Sequence, residues 1–163
     1  MSLPEGSLRL RRRIVSRWGF GAYLWRTLPL AAFAGLRVRR LDEEACEVSL
    51  PGGWRTQNPF ASTYFAAQAM AAEMSTGAPA LVLAAGASAS VALLVVDLRA
   101  SFVKRIVGPS VFTFSDMAGM RSALDRAAAG SEPERFTARS IGRSADGAVA
   151  SEFEITWSFK RRS

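Results

Sequence analysis

The 24 residues from Trp54 to Gly77, WRTQNPFASTYFAAQAMAAEMSTG, leave the chain few ways to fold. A polar turn around Asn58 and Pro59 leads into a long alanine-rich stretch. Proline suits the start of a helix, because its missing N–H has no intrahelical partner there. Ser62 and Thr63 are placed to satisfy orphan amides of the first turn, and Gly77 reads as the C-terminal stop. The pattern predicts a helix over about 60–76 that carries one acid, Glu73, and no base. At helical spacing Ser62, Ala66, Ala69, Met70 and Glu73 share a face. A helix at the surface carries several charges on its outer side, so this one must be surrounded by protein. The strand-like segments that follow predict a sheet curled around a single central helix. A carboxylate held there is paired, set at an opening, or raised in pKa, because burying it alone is costly.

Composition narrows the chemistry. At 163 residues, 49% of them hydrophobic, the chain is long enough for one domain with a real core. It has no histidine and a single cysteine, Cys46. That excludes His-based triads, zinc and iron–sulfur sites and an intrachain disulfide. No acidic cluster suggests magnesium, so no metal is expected. The net charge of +7 is uneven: residues 1–40 carry nine arginines against one acid, Glu5, and the remainder is near neutral. A nucleic-acid partner is not expected, since no basic stripe interleaved with exposed aromatics extends beyond Arg9–Arg17.

Along the chain, residues 1–7 read as a disordered start. Leu10, Ile14 and Trp18 form one stripe of a short helix over Leu8–Trp18, which Gly19 and Gly21 interrupt. A second apolar stretch, Ala22–Leu36, is broken at Pro29. With Arg26 inside it, that stretch is a poor membrane span. The Arg-rich start followed by an apolar run superficially resembles a signal or transit peptide, but no clean small-residue cleavage site follows. Residues 1–35 are therefore expected to form a helical extension packed on the domain edge, the alternative being an amphipathic contact with a membrane surface. The domain proper is assigned to 36–163. Leu36–Leu41 and Cys46–Leu50 alternate as two strands, followed after the helix by Val91–Val103 and Ser110–Phe114. Ala118–Ala129 reads as a surface helix. Phe136–Ile141 and Val149–Phe159 then form a hairpin around Ala145-Asp146-Gly147.

This α+β order, together with the central stretch, resembles the hotdog fold of acyl-CoA thioesterases, nearest to a thioesterase-like branch beside the phenylacetyl-CoA thioesterases. Those families place an asparagine at the turn and an acid fifteen residues on, as Asn58 and Glu73 stand here. Trp54-Arg55, Phe102-Val103-Lys104 and Gly108 add to the likeness. The departures are Ala61 for a glycine, Tyr64 for a histidine and Phe65-Ala66 for a Gly-Gly pair.

The resemblance implies a thioester hydrolase acting on acyl-CoA, with coenzyme A as part of the substrate and no other cofactor. It also implies a cytoplasmic homodimer, with a tetramer left open. Glu73 would be general base or nucleophile, with Asn58 orienting water or carbonyl. Backbone amides near Phe65 and Ala66 would stabilise the oxyanion. Tyr64 would donate a hydrogen bond in place of histidine, since a phenol is no base near neutral pH. Ser62 or Ser101 of a second copy would complete the site, and Lys104 and Arg105 would meet the coenzyme A phosphates. The competing readings are Glu73 tied to Arg55 or Arg99, Asn58 as a turn former, and Tyr64 and Phe65 as core aromatics. For the whole molecule the alternative is a non-catalytic acyl-CoA or lipid-binding hotdog protein.

Overall fold

The computed structural model describes residues 5–162. Residues 1–4 of the expected disordered start, and the Trp18 side chain, lie outside the described residues. Three short helices come first: α1 (Glu5–Val15), α2 (Arg17–Thr27) and α3 (Pro29–Ala34). Then follow β1 (Arg37–Leu41), β2 (Cys46–Leu50), α4 (Phe65–Ala84), β3 (Val91–Phe102), β4 (Ser110–Phe114), α5 (Met117–Ala129), β5 (Glu134–Ser144) and β6 (Val149–Arg161). The six strands form one antiparallel sheet in the order β1-β2-β4-β5-β6-β3. Its concave face wraps α4, which packs against β2, β4 and β5. This is the predicted helix inside a curled sheet.

The strands alternate because one face meets α4. β2 and β4 each bury every second residue, and Val48 lies opposite Phe112 in register. Phe112, Phe114, Phe153 and Phe159 are fully buried. Burying each such ring contributes about 1.5–3 kcal/mol, so this aromatic layer is the main cohesive element. Two polar pins fix the helix against it. Ser75 Oγ lies 2.8 Å from Ser140 Oγ on β5, and the Trp157 indole on β6 donates to Thr76 Oγ1 at 3.0 Å. Each satisfies a group that would otherwise be buried without a partner.

Three expectations are corrected. The helical start begins at Glu5 and α2 runs straight through Gly19 and Gly21; Ser16 caps it, its Oγ accepting from the Gly19 amide. The α1 helix is anchored by Ser7 Oγ, which donates to the Val82 carbonyl of α4 at 2.8 Å. Second, α4 begins at Phe65, five residues later than expected, and leaves Ser62 and Thr63 outside it. The delay comes from a knot at Asn58, described below. Third, Gly77 does not end α4, which continues through Pro79 to Ala84. A Cβ at Gly77 would lie 3.3 Å from the Trp157 ring. The glycine is there for close approach to β6, not as a stop.

Candidate functional site

The segment between β2 and α4 is folded by one side chain. Asn58 Oδ1 accepts from the Phe60 amide at 3.0 Å, the Ser62 amide at 3.2 Å and Ser62 Oγ at 3.1 Å. The Asn58 amide in turn donates to the Ser62 carbonyl at 2.8 Å. Such a side chain-centred turn competes with helix, which is why α4 waits until Phe65. The knot forces Ala61 to a φ of 54°, a left-handed conformation that costs a residue with a Cβ about 1–2 kcal/mol. Thr63 then donates to the Ile106 carbonyl at 2.9 Å, sealing this segment to the β3–β4 connection. At the other end of the seal, a Cβ on Gly52 would lie 2.4 Å from the Gly108 carbonyl oxygen. Only glycine admits that contact.

Between the two sealed segments lies a groove of about 500 Å³. Asn58, Ser62, Tyr64, Phe65, Lys104 and Arg105 all line it. With both Oδ1 lone pairs turned to the knot, the Asn58 Nδ2 amino group is the part of that side chain left for a ligand. Tyr64 caps α4 and makes no side-chain cap hydrogen bond. Among the described residues the Phe65 and Ala66 amides have no partner, as the first turn of a helix leaves them. They stand at the positive end of the helix dipole.

Tyr64 and Phe65 are corrected from core aromatics to exposed ones, at 46% and 56% exposure. They begin an edge-to-face chain of rings, Tyr64–Phe65–Phe102–Phe153–Phe112, that runs from the groove into the core. Lys104 is engaged by Asp146 of the β5–β6 turn. That hydrogen bond, helped by Ser144 and the Ala148 amide, holds the Asp146 carboxyl below its ordinary range. Arg105 is exposed and makes no ion pair among the described residues. Ala66 and Ser101 line neither the groove nor the hollow at Glu73; Ser101 lies exposed on β3.

Glu73 opens elsewhere. It lines a separate hollow of about 270 Å³ between α4 and the N-terminal helices, with Ile14, Phe20, Met74, Leu93 and Trp157 among the walls. Neither proposed arginine reaches it: Arg99 pairs with Asp97 at 3.3 Å, and Arg55 lies beside Gly35. Burial pushes the Glu73 carboxyl above its ordinary value. Its Oε1 folds back over Gly77, the residue one turn on. Among the described residues Glu73 makes no ion pair, and it is a half-buried acid in a mostly apolar hollow whose walls also include Tyr23 and Arg13, the latter stacked over the Tyr23 ring. It stands eight residues along α4 from Phe65, about 12 Å at helical rise.

Sequence reasoning missed two residues here. Gln68, only 5% exposed, lines the groove; its Nε2 donates to the Thr63 carbonyl while its Oε1 has no partner. Trp157 forms a wall of the hollow at Glu73. Neither carries a local signal, because a buried glutamine and a strand tryptophan gain their meaning only from what packs across from them.

No protein-family model matches the chain, and no curated protein matches it in sequence. Solved structures do match. One is a protein of unknown function from Pseudomonas aeruginosa described as a probable thioesterase, at TM-score 0.73 and 16% identity over 92% of this chain and 99% of that one. A Haemophilus influenzae thioesterase matches at TM-score 0.65 and 12% identity, covering 90% and 91%. A Staphylococcus aureus thioesterase has been solved with one glutamate replaced by alanine and, separately, with a glutamine fifteen positions before it replaced. The two variants match at TM-scores 0.61 and 0.62 and 12% identity, over 82% and 81% of this chain and 99% and 98% of theirs. At such identities the likeness is one of shape: the chain has the hotdog fold, in common with thioesterase-like proteins of known structure.

Proposed function

We propose that the protein hydrolyses acyl-CoA-type thioesters as a homodimer, with Glu73 of one copy acting on a carbonyl held at the start of α4 in the other. The observation that carries this reading is the state of Glu73: a carboxyl with no ion pair among the described residues, raised in pKa by burial, lining a mostly apolar hollow. A purely structural buried acid is expected to be paired. Within one chain Glu73 and Phe65, at the start of α4, line different cavities. A second copy docked on the unpaired edge of β3 is what would bring one to the other. That edge is suited to it: Leu94, Val96, Leu98 and Phe102 are exposed along twelve residues, and a long apolar edge invites strand pairing.

In this reading the Glu73 carboxylate takes a proton from water as the water oxygen attacks the thioester carbonyl. The oxyanion is met by the Phe65 and Ala66 amides. Collapse breaks the carbon–sulfur bond, and the proton leaves with the coenzyme A thiol, giving a free carboxylic acid. Asn58 Nδ2 orients the carbonyl or the water. Arg105 is the cation free to meet coenzyme A phosphates, since Lys104 is held by Asp146. Such a substrate places the protein in the cytoplasm. Among the described residues no helix is long and apolar enough to cross a membrane.

The test is hydrolysis across short, aryl and long acyl-CoA compounds. Glu73→Ala is expected to lose roughly 10²–10⁴-fold in kcat with an unchanged circular dichroism spectrum. Full activity in that variant would refute the catalytic role. One observation favours a second reading, acyl-CoA binding without hydrolysis: the Phe65 ring rests against Phe102 beside the amides a thioester must reach. Acyl-CoA binding with no turnover of any member of the panel would select it.

A further inference from the structure

The geometry points to a second surface with its own ligand: we propose that α2, α3 and the Trp54 segment dock on a bilayer bearing anionic phospholipids. Trp25, Leu28, Leu30 and Phe33 are 62%, 49%, 66% and 41% exposed within nine consecutive residues. Trp54, 74% exposed, joins them through an edge-to-face contact with Phe33 at 5.8 Å. Four large exposed apolar side chains within nine residues, joined by a fifth through that ring contact, exceed the scatter normal for a surface. Tryptophan and leucine are the residues that settle at the boundary of headgroup and acyl chain.

The charge beside this patch fits the same occupant. Trp25 shares a groove of about 800 Å³ with Arg37, Arg39 and Arg55, and no acid lines it. Among the described residues none of these arginines, nor Arg26 next to Trp25, makes an ion pair, whereas Arg40 is taken up by Asp42 and Glu44. Cationic side chains set around exposed tryptophan and leucine match a surface that is apolar within and phosphate-bearing at its rim. A second copy of the chain fits less well. Arg37 and Arg39 stand on β1, an outer strand of the sheet, where unpaired cations oppose the pairing that β3 invites.

The experiment is co-sedimentation of the full chain with vesicles of phosphatidylcholine alone and of phosphatidylcholine with phosphatidylglycerol, at low and high salt. The expected result is binding to the anionic vesicles, weakened by salt, and little to the neutral ones. Arg37→Gln with Arg39→Gln lowers the partition coefficient roughly tenfold or more, and Trp25→Ser with Leu30→Ser lowers it comparably. All four side chains are exposed or on an edge, so the fold is spared. No binding to anionic vesicles overturns the proposal, as does binding at the wild-type level by either double variant. A lower molecular mass for the Trp25→Ser, Leu30→Ser variant without vesicles also overturns it, since the patch would then be covering another copy. None of these readouts depends on thioester hydrolysis, so either idea can fail without the other.

Discussion

At the scale of single residues, the proposed role of Glu73 ties stability and activity to the same proton. Burial raises its carboxyl pKa in the folded chain, so the folded state keeps the proton to higher pH than the unfolded state does. The linked stability is fully present below the unfolded carboxylate range and is lost as pH rises through the folded value. Glu73→Gln removes that loss. Denaturant titrations should find the variant more stable than wild type at about pH 8 and similar to it at about pH 4. Hydrolysis by the wild type should rise with pH along a limb displaced above the ordinary carboxylate range. A second residue-scale test concerns Ala61, whose left-handed backbone is imposed by the Asn58 knot. Ala61→Gly should stabilise the chain by about 1 kcal/mol, read as a higher denaturation midpoint. An unchanged midpoint would mean the turn carries no strain.

At the scale of elements, α4 shows how local signals and packing divide the work. Its existence and burial were legible from one acid among alanines. Its ends were not, and the reasons are physical. The start was set by Asn58, whose hydrogen bonds hold residues 58–62 in a turn that a proline-first rule reads as helix. The end was misread because Gly77 carries two meanings that sequence cannot separate, a stop or a gap for a neighbour, and here Trp157 is the neighbour. Gly77→Ala distinguishes them. The gain in helix propensity, about 1 kcal/mol, should nearly offset the tight ring contact, leaving stability within about 1 kcal/mol of wild type. Hydrolysis should fall, because the new methyl would lie 2.9 Å from Glu73 Oε1 and must displace the carboxylate. The candidate site was legible in the same uneven way. Glu73 is legible as the lone acid of its helix and Asn58 through the family resemblance, but the link between Lys104 and Asp146 crosses 42 positions, and no local pattern announces it.

At the scale of the whole molecule, the two outer strands of the sheet differ in character. The strand β3 is near-continuously apolar from Val91 to Val96, yet Leu94, Val96 and Leu98 are exposed. In the proposed dimer a second copy covers that run. Placing lysine at Leu94 and Leu98 should therefore yield a monomer by light scattering, with secondary structure intact and hydrolysis lost. A dimer that survives both lysines would place the contact elsewhere. The opposite rim, β1, presents Arg37 and Arg39. A sheet that is receptive along one side and repellent along the other can grow by one partner and then halts. In the proposed dimer the arginines of β1 would act as a terminator, and replacing them with valine would turn the closed pair into the repeating unit of a filament.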